Sequence, residues 1–277
     1  KCLDLFLQSF RLLQGTGLIK SSKILGISGF SGSIGSTASY SEEILTINSR
    51  LEDPLDRIVE EFKDKSITQY IHLAAITDTN WCMNFPKECF LFNSEYSQKF
   101  YKAASIAKVE RFIFVSTSHV YDNSCKMPLD VNSSLRPTSL YGKSKLDAEI
   151  SLSRQQNEDT KLSIARVFSV TGKNTRDHFL YKGLHRRAQS NDFSQIPGLE
   201  NTRDFLEASK VMSELIRLAR SVDFPALVNI CSGKGKTVRE IAKDVFSLYG
   251  FEKKIDKMPS PKEDSPSKII GVPTNFK

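Results

Sequence analysis

A chain of 277 residues is long enough for one α/β domain, or for a larger domain with a smaller partner, and can bury a substantial core. Its 39% apolar and 26% charged residues exclude a disordered chain. No apolar run approaches the ~20 residues that a membrane span needs. The net charge of +7 suits a phosphate-bearing ligand, and because the basic residues are spread without forming an arm, neither nucleic acid nor a membrane surface is expected as a partner.

The first 22 residues, with Leu3, Phe6, Phe10 and Leu13 on one helical face, read as an amphipathic helical extension. The chain opens at Lys1 rather than Met, as expected if part of the natural N-terminus lies upstream. "KILGIS" (23–28) is a short apolar run entering a glycine cluster, the pattern of a buried parallel strand. "ILTINS" (44–49) is a second strand. In "EDPLDRIVEEFKD", Asp53 reads as a helix cap and Pro54 as the first helical position. "QYIHLAA" (69–75) is a strand followed by a loop through Trp81 and Cys82, and a long helix runs from near Pro86 to about Ala107. "RFIFVS" (111–116) is the clearest strand. A polar loop then leads to a helix beginning near Tyr141, and "LSIARVF" (162–168) is another strand.

Strands alternating with helices through residue 172 predict a doubly wound parallel sheet of Rossmann-like type over 23–172, with a smaller substrate lobe over 173–277. That lobe holds the helix "KVMSELIRLAR", the strand "ALVNIC", a helix over "TVREIAKDVFSLYG" closed by Gly250, and a Pro-rich tail that is mostly loop. One irregularity stands out. Eight residues separate Gly35 from Ile44, too few for a full covering helix and a turn. Either the first helix is stunted, or residues are missing around 36–43 and "ILTINS" is the third strand.

Five widely spaced cysteines (Cys2, Cys82, Cys89, Cys125, Cys231) and four scattered histidines form no CxxC pair and no cluster of zinc spacing. Reduced thiols, a cytoplasmic location and no metal are therefore expected, with Cys82 and Cys89 as packing residues.

Three stretches carry chemistry. "GISGFSGSIG" places Gly29, Gly32 and Gly35 after the first strand, where backbone N–H groups must approach a pyrophosphate closely. "FVSTSHVY" sets Thr117 and Ser118 beyond a carboxyl strand end, where the ligand crevice of an open α/β sheet lies. "SLYGKSKLDAE" puts Lys145 one helical turn after Tyr141 on the same face. A free phenol has a pKa of ~10, and a neighbouring ammonium is expected to lower it. "YGFEK" (Tyr249, Lys253) repeats this spacing, but no hydroxyl-tipped strand precedes it and it lies at a helix end.

Taken in order, GISGFSGSIG, HLAA (72–75), Asn93, STSHVY, YGKSK, ARVFSVTG (165–172), TRDFLEASKV (202–211) and NICSGKGKTVREIA (229–242) resemble the extended short-chain dehydrogenases/reductases, the NAD-dependent epimerase/dehydratase family that acts largely on nucleotide sugars. The resemblance implies cofactor binding by Gly29, Gly32, Ile34, Gly35, Leu73, Ala74, Ala75, Phe168, Tyr141 and Lys145. It implies Thr117, Tyr141 and Lys145 as catalytic residues. Ser118, His119, Ser169 and Arg203 would meet substrate, with Arg203 at its phosphates; the alternative for Arg203 is a structural ion pair with Asp204. His119 is either a substrate contact or a loop residue packed on Tyr121.

Ser118 and His119 stand where dehydratases of the family carry an Asp–Glu pair, and they cannot perform its elimination. The closer likeness is to reductases of 4-dehydro-6-deoxy sugars. The alternatives are an epimerase with tightly held NAD and, in another class, a non-catalytic dinucleotide sensor or RNA-associated protein. "TINSR", with Arg50 and no acid, leans to NADP over NAD if 44–49 is the second strand. Arg186, Arg187 and Arg203 would favour a diphosphate, and a homodimer through the helices after Pro86 and Tyr141 is expected from the resemblance.

Overall fold

A computed structural model describes residues 24–28, 44–172, 179–259 and 267–277. The extension 1–22 and Gly29, Gly32, Ile34 and Gly35 of GISGFSGSIG lie outside the described residues.

Among the described residues, six parallel strands form the main sheet. They are β1 (Ile24–Ser28), β2 (Ile44–Thr46), β3 (Ile67–His72), β4 (Arg111–Thr117), β5 (Lys161–Val167) and β8 (Leu227–Ile230), in the order β2-β1-β3-β4-β5-β8. The expected parallel sheet is present, and β2 pairs directly with β1. Helix α1 (Leu55–Asp64) buries Ile58, Val59 and Phe62. It starts one residue later than expected, capped by Pro54. Asp53 instead takes the Arg50 N–H at 2.8 Å, because the turn before the helix needs that acceptor first.

The loop expected at Trp81 is a helix, α2 (Thr79–Asn84), because the Asp78 carboxylate caps the N–H groups of Asn80 and Trp81. The long helix after Pro86 is present as α3 (Pro86–Phe90), a π-helical turn over Leu91–Glu95, and α4 (Tyr96–Ile106). Helix α5 (Leu140–Gln155) starts beside Tyr141 because the Ser139 hydroxyl accepts from Gly142 N. Cys82 and Cys89 depart from the expectation of free thiols: both are fully buried and form a disulfide that ties α2 to α3.

Beyond residue 172 the chain serves both parts of the fold. Helices α6 (Leu180–Gln189), α8 (Val238–Ser247) and α9 (Glu252–Asp256) share an apolar cluster, with β6 (Ser169–Thr171), β7 (Thr202–Glu207), β9 (Gly235–Thr237) and β10 (Lys268–Ile269) forming a second sheet. Yet α7 (Ala208–Arg220) packs Val211, Leu215 and Ile216 onto the main sheet, and β8 completes that sheet beside β5. The tail is more ordered than its prolines suggest. β10 pairs with β7, and Phe276 is buried in the main core.

The other face of the sheet buries an aromatic layer in which His72 is wholly enclosed. Its ring nitrogens meet Tyr70 Oη at 3.2 Å and Ser97 Oγ at 3.1 Å, and it stacks with Phe112 and Phe114. Burial, then the Lys145 charge, hold it neutral with a pKa of about 3, against 6.5 for a free imidazole. The unfolded chain takes up this proton below 6.5 and the folded chain does not. Native stability should therefore fall by about 1.4 kcal/mol per pH unit between 6.5 and about 3 from this group alone. Urea midpoints across that window should fall more steeply for the wild type than for His72→Gln.

Candidate active site

Three strand ends and one helix start build the site. Strand β4 delivers Thr117 at its carboxyl end, and a 3₁₀ turn over Ser118–Val120 follows at once. The start of α5 lies directly against that turn. A Cβ on Gly142 would stand 2.5 Å from the His119 carbonyl oxygen and 3.0 Å from Pro137 Cβ. Only glycine permits this approach, and it brings the helix start that carries Tyr141 onto the turn that leaves Thr117.

Lys145, one turn on, is 1% exposed, and its ammonium lies 3.9 Å from the Phe114 ring centroid. Burial pushes this ammonium down to about 7, with Glu149 opposing the shift. Burial likewise pushes the Tyr141 phenol up to about 12, against a smaller lowering by the Thr117 hydrogen bond. This corrects the expectation of an acidified tyrosine. In so dry a pocket, lost hydration of the phenolate outweighs the lowering that comes from Thr117, and Lys145 adds none.

The remaining predicted residues fall out as follows. Ser118 is buried beside Thr117. His119 is exposed, and its ring packs edge-on against Tyr141 at 5.6 Å, not against Tyr121. Its imidazole is held below its ordinary pKa by lost hydration of the flanked ring and then by the Arg203 charge. Arg203 donates to the carbonyls of Thr202 and Ser267. Asp204 does not pair with it. Fully buried, Asp204 accepts from Ser232 N at 2.7 Å, Gly233 N at 2.9 Å and Gly271 N, because three main-chain donors converge on it.

Phe168 is buried in an apolar cluster with Tyr121 and Leu129, and Ser169 is half-buried on β6. Leu73 and Ala75 are half-buried and Ala74 is buried just beyond β3. Those positions, with a buried ammonium beside a phenol, fit the ribose end of a dinucleotide. Arg187 does not face the site. It holds Ser194 and Asp192 in the loop after α6, where a carboxylate is available to it. The decoy Tyr249 bonds His185 at 2.9 Å in the second apolar cluster, far along the chain from any of these groups.

One buried pair escaped the sequence reading, and Asn93, which the sequence reading named, has a role it did not show. Glu149 and Arg166 form a buried ion pair at 2.7 Å next to Lys145, and Ser116 donates to the same carboxylate. The signal was present: Glu149 follows Lys145 by four on one helix face, and Arg166 is a charge inside the apolar run of β5. Asn93, in the π-helical turn, bonds both backbone groups of Ile76 and reaches Ser144 Oγ at 3.0 Å.

The sequence is 26% identical over 159 residues to a GDP-6-deoxy-D-mannose reductase of Pseudomonas aeruginosa, a match covering 54% of this chain and 52% of that protein. It is 26% identical over 214 residues to a dTDP-4-dehydrorhamnose reductase of Sinorhizobium fredii, covering 75% and 70%. The chain thus spans about half the length of the first relative. The fold matches the Bordetella bronchiseptica enzyme WbmG, solved in complex with NAD, with a TM-score of 0.73 at 23% identity, covering 99% of this chain and 82% of that one. The family model described as NAD dependent epimerase/dehydratase matches residues 24–231, which span the main sheet and every group of the site above. The chain belongs to the NAD dependent epimerase/dehydratase family.

Proposed function

We propose that this chain is a reductase of nucleotide-linked 4-dehydro-6-deoxy sugars that prefers NADPH. The observation that carries this reading is the buried Tyr141 phenol, which burial holds in its protonated form, at the helix start that packs on the turn after Thr117. A phenol in that state is a proton donor, which is what a carbonyl becoming an alkoxide requires. The bound cofactor would supply the hydride. Thr117 orients the carbonyl oxygen, Tyr141 delivers its proton, and Lys145 holds the ribose and stabilises the phenolate that the transfer leaves. Ser118 and His119, a hydroxyl and an imidazole, do not support the elimination of a dehydratase.

Two further features support the preference for NADPH. β2 stands beside β1, so Arg50 follows the strand where discrimination occurs, and it is exposed. Two acids beside this stretch are already engaged: Glu61 by Asn48 N, Ser49 N and Lys65, and Asp53 by Arg50 N. In the same reading the region 173–277, apart from α7 and β8, which complete the main sheet, contributes the substrate lobe, Arg203 marks the side from which the diphosphate enters, and the protein is a cytoplasmic homodimer through the helices after Pro86 and Tyr141.

The test is a panel of dTDP-, GDP- and UDP-linked 4-dehydro-6-deoxy sugars scored at 340 nm. Stoichiometric oxidation of NADPH, faster than of NADH, is expected. Cofactor retained through purification with no net consumption would make the protein an epimerase instead.

A further inference from the structure

Glu149 lies one helical turn beyond Lys145 and its side chain is 4% exposed, as is that of Arg166, its partner from β5. The guanidinium grips the carboxylate through Nη2 at 2.7 Å and Nε at 3.2 Å. Ser116, from β4, donates a third hydrogen bond to it. Arg166 is itself fixed, donating to the Val131 carbonyl at 3.2 Å and lying 4.8 Å over the Tyr121 ring, whose hydroxyl bonds Asn229 at 2.6 Å. A buried pair of this kind is weak as a source of stability, since well-packed apolar side chains do as well or better. Its geometry suggests another use. Three donors hold the carboxylate in one orientation, with Lys145 on the next turn of the same helix face.

The groups facing Lys145 are few. From β3 comes the neutral His72, and from β4 the ring of Phe114. Helix α5 carries Tyr141 one turn before Lys145 and Glu149 one turn after it, and β5 adds Arg166 behind Glu149. Among the described residues, Glu149 is therefore the one anion set against this ammonium.

We propose that Glu149 is a positioning residue which, held by Arg166 and Ser116, keeps the Lys145 ammonium charged beside Tyr141. The inference rests on Lys145 being a site residue. In its absence, burial would leave the amine neutral at the pH where the enzyme must work, and the phenolate formed on proton transfer would lose its cation.

The test uses two variants at opposite ends of one ion pair. Glu149→Gln removes the anion and leaves the cation, so Lys145 should release its proton at lower pH, by on the order of one unit, or tenfold in proton affinity. Arg166→Met removes the cation and leaves the anion, so the same proton should be held to higher pH. The primary readout is the Lys145 side-chain resonance in 13C,15N-lysine-labelled protein, assigned by Lys145→Arg and titrated without substrate or cofactor. The second is the pH profile of kcat/KM with NADPH, whose limbs should move in the same opposed directions. If Glu149→Gln does not fold, the double variant Glu149→Gln/Arg166→Met leaves no unpaired charge and should show a smaller acid shift. Shifts in one common direction, or none beside a uniform loss of activity, would reduce the pair to a packing role and overturn the proposal. If the wild type reduces no sugar, the resonance still decides this question, and it is the functional reading that fails.

Discussion

Tyr141→Phe should lower kcat by about a thousandfold, within the 10²–10⁴ range for a positioned general acid, while cofactor binding and fold survive. The ring is buried among Ile76, Trp81 and Leu140, and phenylalanine fills the same volume. The hydroxyl would give up at most one hydrogen bond, so stability should change by no more than about 1.5 kcal/mol. With the phenol at about 12, the wild type carries its proton across the neutral range. Single-turnover NADPH oxidation measures the loss, and a cofactor-induced rise in melting temperature measures the retained binding. Activity within tenfold of wild type would remove Tyr141 from the chemistry.

Gly142→Ala should destabilise the protein by about 2–3 kcal/mol, although an interior helical glycine replaced by alanine ordinarily gains about 1 kcal/mol. The new methyl would meet a carbonyl oxygen at 2.5 Å, and that oxygen belongs to the turn that leaves Thr117. Relief requires α5 and the turn to part, separating Tyr141 from Thr117, so activity should fall by about 10² even in the folded fraction. The control is Gly183→Ala in α6, where an added Cβ has nothing within 4 Å and the ordinary helical gain should appear. Thermal melts of the two variants should move in opposite directions, the first downward by roughly 5–10 °C.

Much of this was legible in the sequence because it is local. The apolar runs that became β1, β3, β4 and β5 and the cap before Tyr141 are short-range patterns, and they fix where Thr117, Tyr141 and Lys145 emerge. What local pattern does not encode is which distant segments pair. "ALVNIC" reads as a strand of the second lobe, yet it docks beside β5, because that edge offers the unpaired backbone groups. Cys82 and Cys89 look like isolated thiols until Asp78 caps a helix and turns both toward one interior. Arg187 looked available for a diphosphate, but Asp192 lies five residues away and claims it first. The two YxxxK spacings show the same limit, since only the elements around Tyr141 distinguish it from Tyr249.

The carboxamide of Asn93 has a consequence for how the pocket responds to a ligand. It reads both the N–H and the carbonyl of Ile76, and through Ser144 it reaches the carbonyl of Tyr141. The exit of β3 and the start of α5 are thereby braced as one frame before anything binds. The entropy of aligning them is met once, during folding, and not again in each catalytic cycle.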